Sequence, residues 1–272
     1  MPNTIETYIV DSFTDKPFKG NPAGVCVLNK VVSNQKMQLI AKELGLSETA
    51  FITLINTPNR YSIRYFSPKM EIPLCGHATL ASSKVIFKNN PKLLDIHFKT
   101  IQNLELKIKS IGNKIAMEFP IYDTIPQKVP DELLKALGIN NIINSVFNKE
   151  TNILIIEIES STILQNLTPN FERLKRSHRT INGVLVTAVS ENKDFDFESR
   201  YFWPWSGTNE DPVTGATHTF LAKYWSTRLD KKKMTSFQCS ERSGLMEVEL
   251  INDKTLIITS EAQIVFTGEL NI

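Results

Sequence analysis

Hydrophobic residues in this chain fall in short runs. TYIVDSF (residues 7–13), AGVCVL (23–28), ETAFITLI (48–55), SIRYF (62–66), LDIHF (94–98), LELKI (104–108), KIAMEF (114–119), NILIIEI (152–158), GVLVTAV (183–189), LMEVEL (245–250) and TLIITS (255–260) are rich in β-branched and aromatic residues. They are broken by Gly, Pro, Asn or Asp, the pattern of β-strands. Few helices interrupt them. One is predicted from Ser33 as N-cap, with Met37, Ile40 and Leu44 on one face and Gly45 as its left-handed stop. Two more are predicted to open near Gly76 and Gly215. Long β-runs with well-separated helices point to an α+β fold, not a parallel nucleotide-binding sheet.

The pattern repeats. RYFSP at 64–68 returns as RYFWP at 200–204, an offset of 200 − 64 = 136. After each copy a Pro-containing turn leads into a helix-like segment, PLCGHATLASSKVIF from Pro73 and PVTGATHTFLAKYW from Pro212, an offset of 212 − 73 = 139. Each has a Gly three residues after the Pro, and Lys84 matches Lys223. Two ordered matches that differ by a three-residue insertion predict two similar lobes, each a sheet feeding a strand–turn–helix unit. A division is expected near IPQKVPDELL, where Pro126 and Pro130 break the strand pattern and Asp131 reads as an N-cap. The expected lobes are residues 1–120 and 121–272, with the last strand free to return to the first lobe and a ligand site expected between them.

Composition narrows the function. The 272 residues are 41% hydrophobic and 22% charged, with a net charge of +2, as in an ordinary globular protein. Balanced charge gives no electrostatic case for nucleic acid, and RLKRSHR (173–179) and Lys231, Lys232 and Lys233 read as solvated surface. MPNTIETYIV lacks the features of a signal peptide and no run reaches membrane-spanning length, so the expectation is a cytoplasmic protein with no membrane partner. Cys26, Cys75 and Cys239 have neither disulfide nor zinc spacing. No nicotinamide, phosphate-loop or metal motif is visible, so no cofactor is expected.

A small set of residues could carry chemistry. Gly76 and Gly215 precede helix starts whose free N–H groups suit a carboxylate, although each glycine could equally serve only a tight turn. Glu48 is in strand phase with Ala50, Ile52 and Leu54. Burial there would raise its pKa into the range of a general acid/base, whereas an exposed strand-edge Glu would do nothing of the kind. His77 sits at the first helix start, where it could donate to an anion, exchange a proton or serve only the fold. Asp211 reads as the N-cap of the helix entered through Pro212 and, since capping and catalysis are compatible, as a catalytic candidate together with Glu48 and His77. Trp203 and Trp205 are either a flat wall for a planar ligand or core.

These segments resemble the PhzF-like family of phenazine biosynthesis: DSFTDKPFKGNPAGV, LGLSETAFI, FSPKMEIPLCGHATLA and EDPVTGATHTFLAKYW occur in that family's order, and FTGEL closes the chain. The resemblance covers nearly the whole sequence. It implies a diaminopimelate-epimerase-like fold of two lobes, each a mixed sheet curled round a central helix. It also implies a homodimer, Glu48 as acid/base, and a pocket lined by Gly76, His77, Asp211, Gly215 and Ala216. Ala216 departs from the serine of the phenazine-pathway members, which puts their substrate in doubt here. Related epimerases use one cysteine from each lobe; Cys75 holds the first position, but the second falls at Pro212 or its neighbours.

The resulting expectation is a cofactor-independent isomerase that moves a proton between carbons of a small cyclic or unsaturated carboxylic acid. The model reaction is isomerisation of trans-2,3-dihydro-3-hydroxyanthranilate. The alternatives are an epimerase or racemase of an amino or hydroxy acid and a non-catalytic protein that binds small carboxylates.

Overall fold

A computed structural model describes residues 4–55, 57–205 and 208–272. The chain divides into two compact units, Met1–Phe119 with Ile257–Ile272, and Pro120–Leu256. The first contains β1 (Thr4–Ser12), β2 (Asn21–Val27), α1 (Asn34–Leu44), β3 (Glu48–Leu54), β4 (Arg60–Phe66), β5 (Glu71–Ile72), α2 (Gly76–Asn89), β6 (Asp95–Thr100), β7 (Glu105–Ile111) and β8 (Lys114–Pro120). The second runs through β9 (Ile125–Pro126), α3 (Asp131–Leu137), β10 (Asn144–Asn148), β11 (Ile153–Glu157), α4 (Ser161–Gln165), α5 (Phe171–Ser177), β12 (Gly183–Val189), β13 (Phe197–Trp203), β14 (Thr208–Asp211), α6 (His218–Leu229), β15 (Lys233–Gln238) and β16 (Gly244–Asn252). After β17 (Thr255–Ser260), β18 (Ala262–Asn271) pairs along all of β1, from Thr4 opposite Asn271 to Ser12 opposite Ala262. The terminal strand therefore lies with the first unit.

Both units have the same ladder. In the first, β1 is antiparallel to β2, β2 parallel to β3, β3 antiparallel to β4, and β4 both antiparallel to β5 and parallel to β6. In the second, β10, β11, β12, β13, β14 and β15 repeat that sequence of orientations. Every parallel step needs a crossover, and helices supply them. α2 crosses from β4 to β6 and α6 from β13 to β15. Residues 76–83 of α2 are buried without a break, followed by Val85 and Ile86, so the helix is enclosed on nearly all sides. Small residues at Gly76, Ala78, Ala81, Ser82 and Ser83 make that enclosure possible.

α1 forms as its sequence predicts. Ser33 accepts a hydrogen bond from the Lys36 amide, and Gly45 ends the helix at φ 65°, a left-handed conformation that costs glycine little. Met37, Ile40 and Ala41 pack against Phe51 and Phe66, whose rings meet edge-on at 5.4 Å. β3 is covered on its other face as well. Ala50 lies opposite Tyr65, and the Tyr65 hydroxyl is 2.6 Å from Thr79 Oγ1 on α2. Residues in phase with Ala50, Glu48 among them, therefore face α2.

The repeat extends to side chains. Arg64 grips Glu71 through two bonds of 2.7 Å and stands 5.2 Å from the Phe66 ring. Arg200 grips Glu210 through two bonds of 2.8 Å and stands 4.9 Å from the Phe202 ring. The three-residue insertion lies between strand and turn: (210 − 202) − (71 − 66) = 3.

Candidate active site

Cys75 occupies the N-cap position of α2, and no side-chain bond caps that helix. Such an end favours a negative charge. Glu48 supplies one: its Oε2 lies 3.2 Å from His77 Nε2, with the two side chains only 13% and 9% exposed. Ser47 Oγ is 3.4 Å from the same nitrogen, and Cys75 Sγ is 3.4 Å from His77 Nδ1. Behind the ring, Ser12 Oγ donates to the His77 carbonyl at 2.7 Å. The first unit thus joins Glu48, Gly76 and His77, and adds Cys75, Ser47 and Ser12.

The electrostatics correct one sequence expectation. Burial pushes Glu48 upward, but the His77 hydrogen bond, the His77 charge and the Ser47 bond outweigh it and hold the carboxyl below its ordinary 4.5. Burial likewise opposes charge on His77, yet Cys75 and Glu48 raise its pKa well above 6.5. Cys75 is itself pushed above 9.0, chiefly by burial. The resting pair is carboxylate and imidazolium. Glu48, Cys75 and His77 also place O, S and N ligand atoms within 4.8 Å of one another, as a metal would require, although the helix N-terminus beneath them favours an anion over a cation.

In the second unit, Asp211 is 9% exposed and ends β14. It does not cap α6, whose N-cap position is Thr217. The helix begins 218 − 211 = 7 residues further on, because residues 215–217 form a turn closed by His218 N–H to Gly215 O (3.1 Å) and Thr219 N–H to Ala216 O (3.2 Å). Asp211 Oδ2 accepts the Thr214 hydroxyl instead. Gly215 is buried in that turn and Ala216 is exposed. His218 is structural: burial pushes it down to about 4, and Nδ1 meets Thr214 O at 3.2 Å while Nε2 meets Ser236 Oγ at 2.8 Å. Trp205 donates to the carbonyls of Lys175 and His178 and packs on the core of its unit. Trp203 lies against Tyr201 at 5.9 Å.

Strand register shows what the duplicate half has at the acid–base positions. Ala50 faces Tyr65 and Leu185 faces Tyr201, and 201 − 65 = 136, so Glu48 corresponds to Gly183. The offset of 139 at the helix start sets Thr214 against Cys75 and Ala216 against His77. Gly183, Thr214 and Ala216 carry no group that exchanges protons near neutrality. The whole Glu48–Cys75–His77 cluster belongs to one half.

Known proteins agree with this architecture. Phenazine biosynthesis-like domain-containing protein 1 of mouse is 38% identical over 97% of this chain and 98% of its own length. An uncharacterised isomerase of Pseudomonas aeruginosa is 38% identical, covering 97% of each chain. The crystal structure of a phenazine biosynthesis protein of the PhzF family from Enterococcus faecalis superposes with a TM-score of 0.90 at 33% identity, over 99% of this chain and 100% of that one. A hydroxyproline epimerase from Agrobacterium vitis shares the fold alone, with a TM-score of 0.62 at 8% identity over 100% of this chain and 94% of that one. The family described as phenazine biosynthesis-like protein, PhzC-PhzF, matches residues 10–268. A match of that extent runs through both units, and the chain belongs to the phenazine biosynthesis-like PhzC-PhzF family.

Proposed function

We propose that this protein is an isomerase in which Glu48 takes a proton from one carbon of a small unsaturated carboxylic acid and returns it to another. The observation that carries the reading is the buried Glu48–His77 pair at 3.2 Å beside an uncapped helix start, in a chain whose duplicate half has no proton carrier at the matching positions. Glu48 is ionised at rest, as the first step requires. On proton transfer the C–H electron pair enters the conjugated system, the double bond shifts, and the proton is returned at the new position, so charge and atoms balance. His77, held as an imidazolium, supports the negative charge that forms on the substrate, and the α2 start supports its carboxylate. Asp211, Gly215 and Ala216 enter the reading as substrate contacts. A two-thiol epimerase would need a second cysteine where Thr214 stands, which weighs against that alternative.

Small cyclic and unsaturated carboxylates screened by NMR in deuterated water test the reading. Deuterium at a second carbon, with the double bond moved, is the expected result. Inversion at a single carbon would make the protein an epimerase, and binding without exchange at carbon would make it a carboxylate-binding protein.

A further inference from the structure

Gln238 ends β15 and is completely buried, an unusual place for a primary amide unless its groups are all used. Its Oε1 accepts the Thr214 amide at 2.9 Å. Its Nε2 donates to the Asp211 carbonyl at 2.8 Å and faces Thr214 Oγ1 at 3.4 Å. The Thr214 hydroxyl in turn donates to Asp211 Oδ2, closing a ring from Gln238 through Thr214 to Asp211 and back. The orientation of the amide follows from chemistry alone, since a backbone carbonyl can only accept and a backbone N–H can only donate.

From this ring we infer that Gln238 is a positioning residue that sets the rotamer of the Asp211 carboxylate for substrate. The inference rests on the reading of Asp211 as a substrate contact. Strand register shows why the sequence repeat does not reveal it. Ser199 pairs with Gln238 as Ile63 pairs with Thr100, and 199 − 63 = 136, so the first unit has a threonine at this position. A threonine is too short to hold both ends of a turn. The amide serves the one turn that carries Asp211.

The test compares Gln238→Met, Asp211→Asn and the double variant, with trans-2,3-dihydro-3-hydroxyanthranilate as the first probe and then the carboxylates of the screen above, each followed in deuterated water; a wild type that turns over none of them overturns the reading of Asp211 and the inference with it. Gln238→Met keeps the volume and removes the three polar contacts that Gln238 makes, leaving the Thr214 hydroxyl to Asp211 bond. It is expected to raise KM about tenfold, the loss of one or two buried hydrogen bonds, with kcat changed less than about threefold. The same substitution made on top of Asp211→Asn should change KM by less than about twofold, because the carboxylate it positions is already gone. A purely structural glutamine would instead lower kcat as well or act additively in the double variant, and either result overturns the inference. Gln238→Glu keeps the acceptor for the Thr214 amide but not the donor to Asp211, and it carries the same comparison should the Met variant fold poorly. If Asp211→Asn raises KM while neither Gln238 variant does, the inference falls and the reading of Asp211 stands. If Asp211→Asn has no effect on KM, that reading falls and takes the inference with it.

Discussion

Replacing Glu48 by Gln keeps the size of the side chain and one hydrogen-bonding oxygen while removing both the proton-accepting group and the charge opposite His77. At 3.2 Å and an effective dielectric of about 20, the attraction between the two charges is on the order of 5 kcal/mol before desolvation. Desolvation offsets most of it, and a net contribution of about 2 kcal/mol remains, as for other hydrogen bonds between charged partners. The signs of the two shifts define where this contribution acts. Glu48 is held below 4.5, so its share is present above that pH and is lost as the pH falls through the folded-state value. His77 is held above 6.5, so its share is present below that pH and is lost as the pH rises through its folded-state value. Both act in full between 4.5 and 6.5. Urea titrations across the pH range should show the wild type stabilised in that window, with Glu48→Gln flattening the profile. Turnover in deuterated water should fall by about 10²–10⁴-fold or more while ligand binding persists. A variant that exchanged deuterium at carbon within tenfold of the wild-type rate would refute Glu48 as the proton carrier.

Cys75→Ala is expected to retain deuterium exchange at carbon within about threefold, because a buried thiol whose pKa is raised is a poor base; loss of exchange there and its survival in Glu48→Gln would transfer the chemistry to sulfur. Gly183→Ala would put a methyl group 2.5 Å from the ring carbon Cε2 and the hydroxyl of Tyr201, a residue only 4% exposed. It should destabilise the protein by about 1–3 kcal/mol in urea unfolding, and an unchanged midpoint would mean that Tyr201 yields freely.

Much of the fold was legible in the sequence. All the strand-like runs became strands, because runs of β-branched residues ended by turn residues depend on little beyond local chemistry. α1 is bounded as predicted, since Ser33 and Gly45 act within their own turn. The expected N-cap at Asp131 is displaced by one residue, to Pro130. β15 (KMTSFQ) and β10 (NSVFN) gave too weak an apolar signal to be read as strands. Two short helices, α4 and α5, escaped notice although Ser160 and Asn170 cap them in the ordinary way. In the candidate site, contiguous motifs point to Glu48, Gly76 and His77, which lie together in the structure, but not to residues recruited across the fold. Ser12 reaches His77 over 65 residues, and Gln238 reaches Asp211 over 27. The direction of the Glu48 shift depends on an imidazole 77 − 48 = 29 residues away, which strand phase alone could not supply.

The matched pair of arginine clamps and the unmatched proton carriers have a stereochemical consequence. Arg64 and Arg200 keep the same grip in both halves, so the scaffold is symmetric where it holds strand to turn, while Gly183, Thr214 and Ala216 put no acid or base at the second half's positions that match Glu48, Cys75 and His77. In the isomerisation proposed above, Glu48 would be the one carboxylate to approach a flat conjugated intermediate, from one side. Bond breaking and bond making must then be suprafacial, and the atom removed can be the one put back. A substrate deuterated at the donor carbon and turned over in ordinary water should carry part of its label to the new carbon, on the same face.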